Sequence, residues 1–467
     1  MEHQSTNLLD RFNQWLRESI TVKLATIGFL VIILLIPATW IEHLMEERQQ
    51  RAESVMTEVS AKWSGSQTLS GPVLVVPYKH RETNRVNKDN VEIKETIRKA
   101  FFLPETLDIT GNVQPELLHR GIYDAVVYQS SLTVKASFSE PDFKRLDIAD
   151  DMVLWSGAHV VMAISDLRGI SKNPPVVTFG NATLTPEPTQ NTGLPINEFK
   201  PEEQAILNGL ASATGSTGIW APLNWKSQSD FTQDTEISFT LKGSTRLSFV
   251  PTGKTTTVNL SGPWPDPSFD GEFLPATREI TDTSFVATWT ILHFNRPFAS
   301  YWKDNEESLA GSAFGLKLLM PVDQYQKSIR TAKYGILIIL LTFISLVLVE
   351  ITQRIRIHPF QYILIGAALI IYYSLLLSFS EQVGFNTAYW ISTAATVVLL
   401  AAYSATFLKP RKLNILFTLL LMVFYTFIFI IILQQDYSLL IGSIGLFIVV
   451  AALMFFSRNV NWYKETS

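Results

Sequence analysis

The sequence predicts an integral membrane α-helical bundle of six transmembrane helices joined to a large extracytoplasmic, mainly β domain of sandwich-like build. Three observations predict it: six long apolar runs, the placement of Lys and Arg around them, and a 292-residue β-patterned stretch between the first run and the second. Hydrophobic residues make up 47% of the 467, but they gather in one early run and then dominate after Lys333. A soluble chain of this length would spread its apolar residues over two or three domains.

A span needs about 20 mostly apolar residues to cross a hydrocarbon core of about 30 Å. The runs are 24–41, 334–349, 360–379, 388–407, 415–433 and 437–456. The second is the shortest and is expected to extend at both ends. The first exceeds a signal-peptide core of about 7–15 residues and no A-x-A site follows it, so it reads as an uncleaved anchor. Residues 46–63 then read as a polar continuation of the same helix, and Pro37 is expected to kink it.

Orientation follows from basic residues in the short flanks, which stay cytoplasmic. These are Arg11, Arg17 and Lys23; Arg354 and Arg356; Lys409, Arg411 and Lys412; Arg458 and Lys464. The alternate loops, 380–386 and 434–436, carry Glu381 and Asp436 and no Lys or Arg. The expected organisation is a cytoplasmic segment 1–23, an anchor 24–41, a periplasmic β-rich domain 42–333, a five-helix bundle 334–456 and a cytoplasmic tail 457–467.

The insert holds 28 Lys and Arg against 35 Asp and Glu. A net acidic face is a poor match for nucleic acid or for anionic lipid headgroups as partners. Strand patterns cover 73–78 and 91–102, read as a hairpin with 79–90 as its charged tip, and also 123–138, 152–164, 235–247, 255–260 and 284–293. Residues 251–254 read as a turn, 201–210 as the best helix candidate and 181–195 as loop. The dense prolines of Trp264-Pro265-Asp266-Pro267-Ser268-Phe269 predict a rigid loop without regular structure. Trp264, Pro265, Pro267 and Phe269 are a candidate interaction surface for a protein or glycan. The competing reading is that these rings, with Trp289, Phe294, Phe298, Tyr301 and Trp302 nearby, fill the domain core.

Chemistry-bearing motifs are scarce. With no Cys, disulfides, thiolate metal sites and Cys nucleophiles are excluded, which suits an oxidising compartment. Gly253-Lys254-Thr255 lacks the earlier Gly of a P-loop, since Ser248 stands there. Seven scattered His residues form no i, i+4 pair, and neither a metal site nor a cofactor nor a catalytic constellation is expected. Asn181-Ala182-Thr183 fits a glycosylation sequon by chance. Intramembrane ionisable residues mark ion paths and relays, and only Glu350 approaches the membrane. It forms, with Arg354, Arg356 and His358, a candidate membrane-interface cluster, weighed against simple loop anchoring. Small and hydroxyl residues such as Gly366, Thr393 and Gly442 suit tight helix packing.

The chain also resembles the CreD family of bacterial inner-membrane proteins, described as cell envelope integrity proteins. The resemblance rests on Leu318-Leu319-Met320-Pro321-Val322-Asp323-Gln324-Tyr325, Ile357-His358-Pro359-Phe360-Gln361-Tyr362, 377–386, Asp436-Tyr437-Ser438 and Asn461-Trp462-Tyr463. It implies an anchor, a periplasmic domain, a C-terminal bundle and a link to the CreBC two-component system and envelope stress. It implies no established reaction. Function is accordingly expected to be non-catalytic: envelope integrity, served by the bilayer and a periplasmic protein, lipid or glycan partner. The alternatives are a transporter or flippase of an envelope lipid or precursor, and a periplasmic enzyme such as a hydrolase.

Overall fold

The structure is a computed structural model that describes residues 20–87, 90–195, 216–304, 307–309, 311–318, 324–353, 355, 357–409, 411–434 and 438–457. The expected helix at 201–210 and the flanking Arg11, Arg17, Arg354, Arg356, Arg458 and Lys464 lie outside these residues. The chain divides into two compact units, one of residues up to 53 and from 322 on, the other of residues 54–321.

The first unit is helical: α1 (Ile20–Trp63) as far as residue 53, α2 (Gln324–Lys333), α3 (Gly335–Gln353), α4 (Pro359–Val383), α5 (Phe385–Ser404), α6 (Arg411–Leu433) and α7 (Ser438–Ser457). Among the described residues five helical segments are long and apolar enough to cross a membrane, α2 and α3 forming one of them. At the sixth predicted run stands α7, some of whose side chains lie outside the described residues. The helices bury one face and present apolar side chains such as Phe29, Ile32, Ile371, Val398 and Ile415 outward. Such a surface suits hydrocarbon and is out of place in water. Helix α1 continues through 46–63 as expected.

Local signals place the helix ends. Before α4, His358 Nδ1 accepts the Phe360 N–H at 3.2 Å, and Gln361 Oε1 accepts the His358 N–H at 2.9 Å. With Pro359 at the first helical position this is a reciprocal cap. Gly384, at φ 78, makes the turn from α4 into α5, a backbone state that side-chain-bearing residues avoid. Gly366 lets α4 approach α1: a Cβ there would stand 2.3 Å from a Leu34 methyl.

The second unit is mainly β, in a nine-stranded and an eight-stranded sheet. In the first, strand Gln67–Asn87 lies parallel to Arg246–Val250 and antiparallel to His159–Ile164 and Asn90–Phe102. In the second, Thr255–Gly262 pairs Phe285–Leu292 and Thr106–Arg120, and Tyr123–Ser137 pairs Thr106–Arg120 and Asp234–Ser244. One buried cluster draws Leu74, Val76 and Phe314 from the first sheet and Ile109, Val134 and Trp289 from the second. Val73 and Val75 point the other way, into a cluster with Phe101 and Trp302. Covering both faces explains why 73–78 is continuously apolar instead of alternating.

Several expected boundaries move. Residues 79–87 are ladder, not a loop tip, because their charges pair across strands: Arg81 with Glu95 at 2.8 Å and Arg98 with Glu82 at 2.6 Å. Of 152–164 only His159–Ile164 is strand, and Asp150–Met152 and Trp155–Gly157 are single 3₁₀ turns. The run 235–247 breaks at Thr245, whose φ of 62 turns the chain from the second sheet into the first. Within 181–195, Ala182–Leu184 and Glu187–Thr189 are short strands. Pro267–Gly271 is an edge strand paired with Phe314–Leu318. Pro is tolerated there because the first residue of an edge strand need not donate to a neighbour.

Candidate functional site

The helical unit holds the most unusual chemistry. Glu350, in the last turn of α3, is only 5% exposed. One carboxylate oxygen accepts the Ile357 N–H at 2.9 Å and the other the Tyr362 hydroxyl at 3.1 Å. The carboxylate therefore ties the end of α3 to the first turns of α4. Burying a carboxylate is costly unless its oxygens are hydrogen-bonded, and these are. His358 stays exposed and serves the α4 cap. Of the expected interface cluster, Glu350 and His358 thus work in the same connection by different bonds, while Arg354 and Arg356 lie outside the described residues.

A second group was missed by the sequence reading. Tyr372 and Tyr373 on α4, Tyr389 on α5 and Tyr425 on α6 are all buried. The Tyr372 ring lies 4.9 Å from that of Tyr373, 6.0 Å from Tyr389 and 4.8 Å from Tyr425. Tyr389 donates to the Tyr425 carbonyl at 2.6 Å. The hydroxyls of Tyr373, Tyr425, Thr342 and Ser392 reach no partner among the described residues, and that of Tyr372 points towards Thr393 and Tyr389 without attaining bonding geometry. Scanning the runs for ionisable residues passes over such groups. The available signal was the pair Tyr372-Tyr373 and the pair Ser392-Thr393 inside apolar runs. The cluster can donate and accept hydrogen bonds while carrying no charge.

In the β unit Trp264 is buried and donates its indole N–H to the Asp266 carbonyl at 3.1 Å. Phe269 is half-buried, edge-on to Trp289 at 5.5 Å. Pro267 is half-buried and Pro265 exposed. The candidate surface therefore loses its aromatic anchors, because both rings face the core shared by the two sheets. Trp289 and Trp302 are buried as well, and Phe294 is exposed. Elsewhere in this unit a half-open cavity of about 400 Å³ has Phe179, Leu223 and Trp225 as its floor and Asn181, Asp230 and Thr232 at its rim. Among the described residues no three His, Asp or Glu side chains stand together as a metal site.

A family model described as inner membrane protein CreD matches residues 19–463. The chain belongs to the CreD family. Inner membrane protein CreD of Escherichia coli (strain K12) is 32% identical over 450 residues, covering 94% of this chain and 93% of that protein. The CreD-type chain is thus similar to an inner-membrane protein along nearly its whole length, through both the helical and the β unit. With several apolar helices it is a multi-pass inner-membrane protein.

Proposed function

We propose that this CreD-family chain crosses the inner membrane six times, keeps both termini in the cytoplasm and holds its β unit, as a two-sheet sandwich, in the periplasm. There it serves cell envelope integrity and the envelope stress response without catalysis, by contacting an envelope protein, lipid or glycan. The observation that carries this reading is the charge asymmetry of the termini and short loops: the ten Lys and Arg of residues 1–23, 350–359, 408–414 and 457–467 fall on one side of the predicted spans, and loops 380–386 and 434–436 carry none. Moving such residues across the bilayer is costly, and so they fix orientation. The cluster shared by the two sheets supports the sandwich. The cavity at Trp225 supplies a concave surface for a partner, now better formed than the loop around Pro265.

Deleting the chain from its host tests the role. The expected result is leakage of periplasmic enzymes and sensitivity to β-lactams, both restored by the intact chain. Unchanged permeability and sensitivity contradict it. One observation favours a second reading, transport of an envelope lipid or precursor: hydroxyls inside the bundle that have no partner among the described residues are the kind of group that lines a polar path.

A further inference from the structure

Helix α2 carries Lys327, Arg330 and Lys333 at i, i+3 and i+6. Helical geometry gathers these on one side. The opposite side, with Ser328 and Thr331, is buried against the bundle, and Tyr325, Ile329 and Ala332 pack partly against its core. α2 runs on into α3 as one apolar segment, Gln324–Gln353, so the three cations stand where a span leaves the hydrocarbon.

Their partners are few. Lys327 Nζ lies 5.7 Å from the centre of the Phe385 ring. Lys333 reaches Glu42 at 3.9 Å, a long and partly exposed pair and therefore a weak one. Arg330 is half-buried, yet among the described residues it makes no ion pair and no hydrogen bond. Arg296 shows the contrast. It is buried in the β unit, and its N–H groups donate to the carbonyls of Phe298 and Ala299 and to Ser300 Oγ. A half-buried guanidinium that is flanked by two like charges and has no acceptor among the described residues suits an anion with several oxygens.

We propose that the Lys327–Arg330–Lys333 face of α2 is a binding site for the phosphate of an anionic glycerophospholipid. The lipid is favoured over a soluble anion because the site adjoins an apolar span, where acyl chains lie against the helix while the headgroup meets the cations. Arg330 provides the planar fork that two phosphate oxygens match, and the lysines supply point charges on either side. On the sidedness proposed above the lipid belongs to the outer leaflet, but selectivity reads the same in either leaflet. Failure of the test would leave the topology standing.

The full chain is placed in bilayers of phosphatidylcholine containing a minority of phosphatidylglycerol, and spin-labelled lipids report which species the protein immobilises. The expected result is a preference for phosphatidylglycerol of about fivefold or more, since each basic residue near the surface attracts an anionic lipid to that extent. Arg330→Gln should reduce it, and Lys327→Gln with Arg330→Gln should reduce it further, with unfolding temperatures retained. Equal association of the two lipids, or a preference unchanged in the double variant, overturns the proposal. Suppression of the preference by glycerol phosphate at a concentration too low to screen charge would show a soluble-phosphate site and overturn it too.

Discussion

Strand Thr106–Arg120 and helix α4 bury their side chains by opposite rules. Along the strand Leu107, Ile109 and Val113 are buried while Asp108, Thr110 and Asn112 are exposed. On α4 the exposed positions include Ile363, Leu364 and Ile371, and the buried ones include Tyr362, Tyr372, Tyr373 and Ser380. A surface takes the character of its solvent. The strand is built for water. The helix is built for hydrocarbon, where polar groups are placed inward because nothing outside can satisfy them. The comparison teaches that the tyrosines of α4 are turned to the interior of the bundle, whereas the polar residues of this strand, Asp108, Thr110 and Asn112, are turned outward.

The largest effect that can break this contrast lies in the water-facing unit. Trp289, fully buried between the sheets and bonded through its indole to the Phe273 carbonyl, should cost about 3–5 kcal/mol when replaced by Ala. Limited proteolysis of the full chain should show the β unit opening first, and a loss within noise would mean that the shared core is not what holds it. Next comes Glu350→Ala, which strands the Ile357 N–H and the Tyr362 hydroxyl and should cost about 1.5–3 kcal/mol in detergent melts, since hydrogen bonds to a charged group are the stronger kind. Glu350→Gln keeps an acceptor and should cost clearly less. Equal losses in both variants would point to a role for the charge itself.

A smaller effect sharpens the account of the helical interior. Tyr389→Phe removes a made bond and should cost about 0.5–1.5 kcal/mol, whereas Tyr373→Phe removes an unpartnered hydroxyl and should be neutral or stabilising in the same melts. Reversal of that order would show that Tyr373 is partnered in the membrane. The smallest effect is at the water-exposed surface. Hydrogen bonds from Lys62 and then Arg120 hold the Glu58 carboxyl down at about 2, against an ordinary 4.5. A depressed carboxylate stabilises above its unfolded value and loses that contribution as pH falls through its folded one. The melting difference between the natural chain and Glu58→Gln should therefore be full above pH 4.5 and fade towards pH 2. A difference independent of pH across that window would show that the ion pairs do not form.

The spans were legible because length and apolar composition are decided by the bilayer, and α3 to α6 fall where the runs predict. The alternating strands were legible for the same reason, as with 123–138 and 284–293. What escaped was local and long-range together. Nothing near Thr245 announces that the chain there changes sheets. The charged run 79–87 reads as a loop until Glu95 and Arg98 supply partners across the hairpin. The prolines at 265 and 267 suggested a loop, and only the neighbour Phe314–Leu318 makes Pro267–Gly271 an edge strand. Glu350 was picked out, but its partners Ile357 and Tyr362 come from the turn that follows, and the tyrosines were passed over because they carry no charge.

Sidedness is the claim on which the envelope role stands, and the chain's lack of Cys makes it directly measurable by single introduced thiols. Thr277→Cys lies on an exposed edge strand of the β unit and Lys409→Cys at an exposed position after α5. In intact spheroplasts a membrane-impermeant maleimide should label the first and spare the second until the membrane is opened. Labelling of Lys409→Cys but not Thr277→Cys in the sealed state would place the β unit in the cytoplasm and contradict the account.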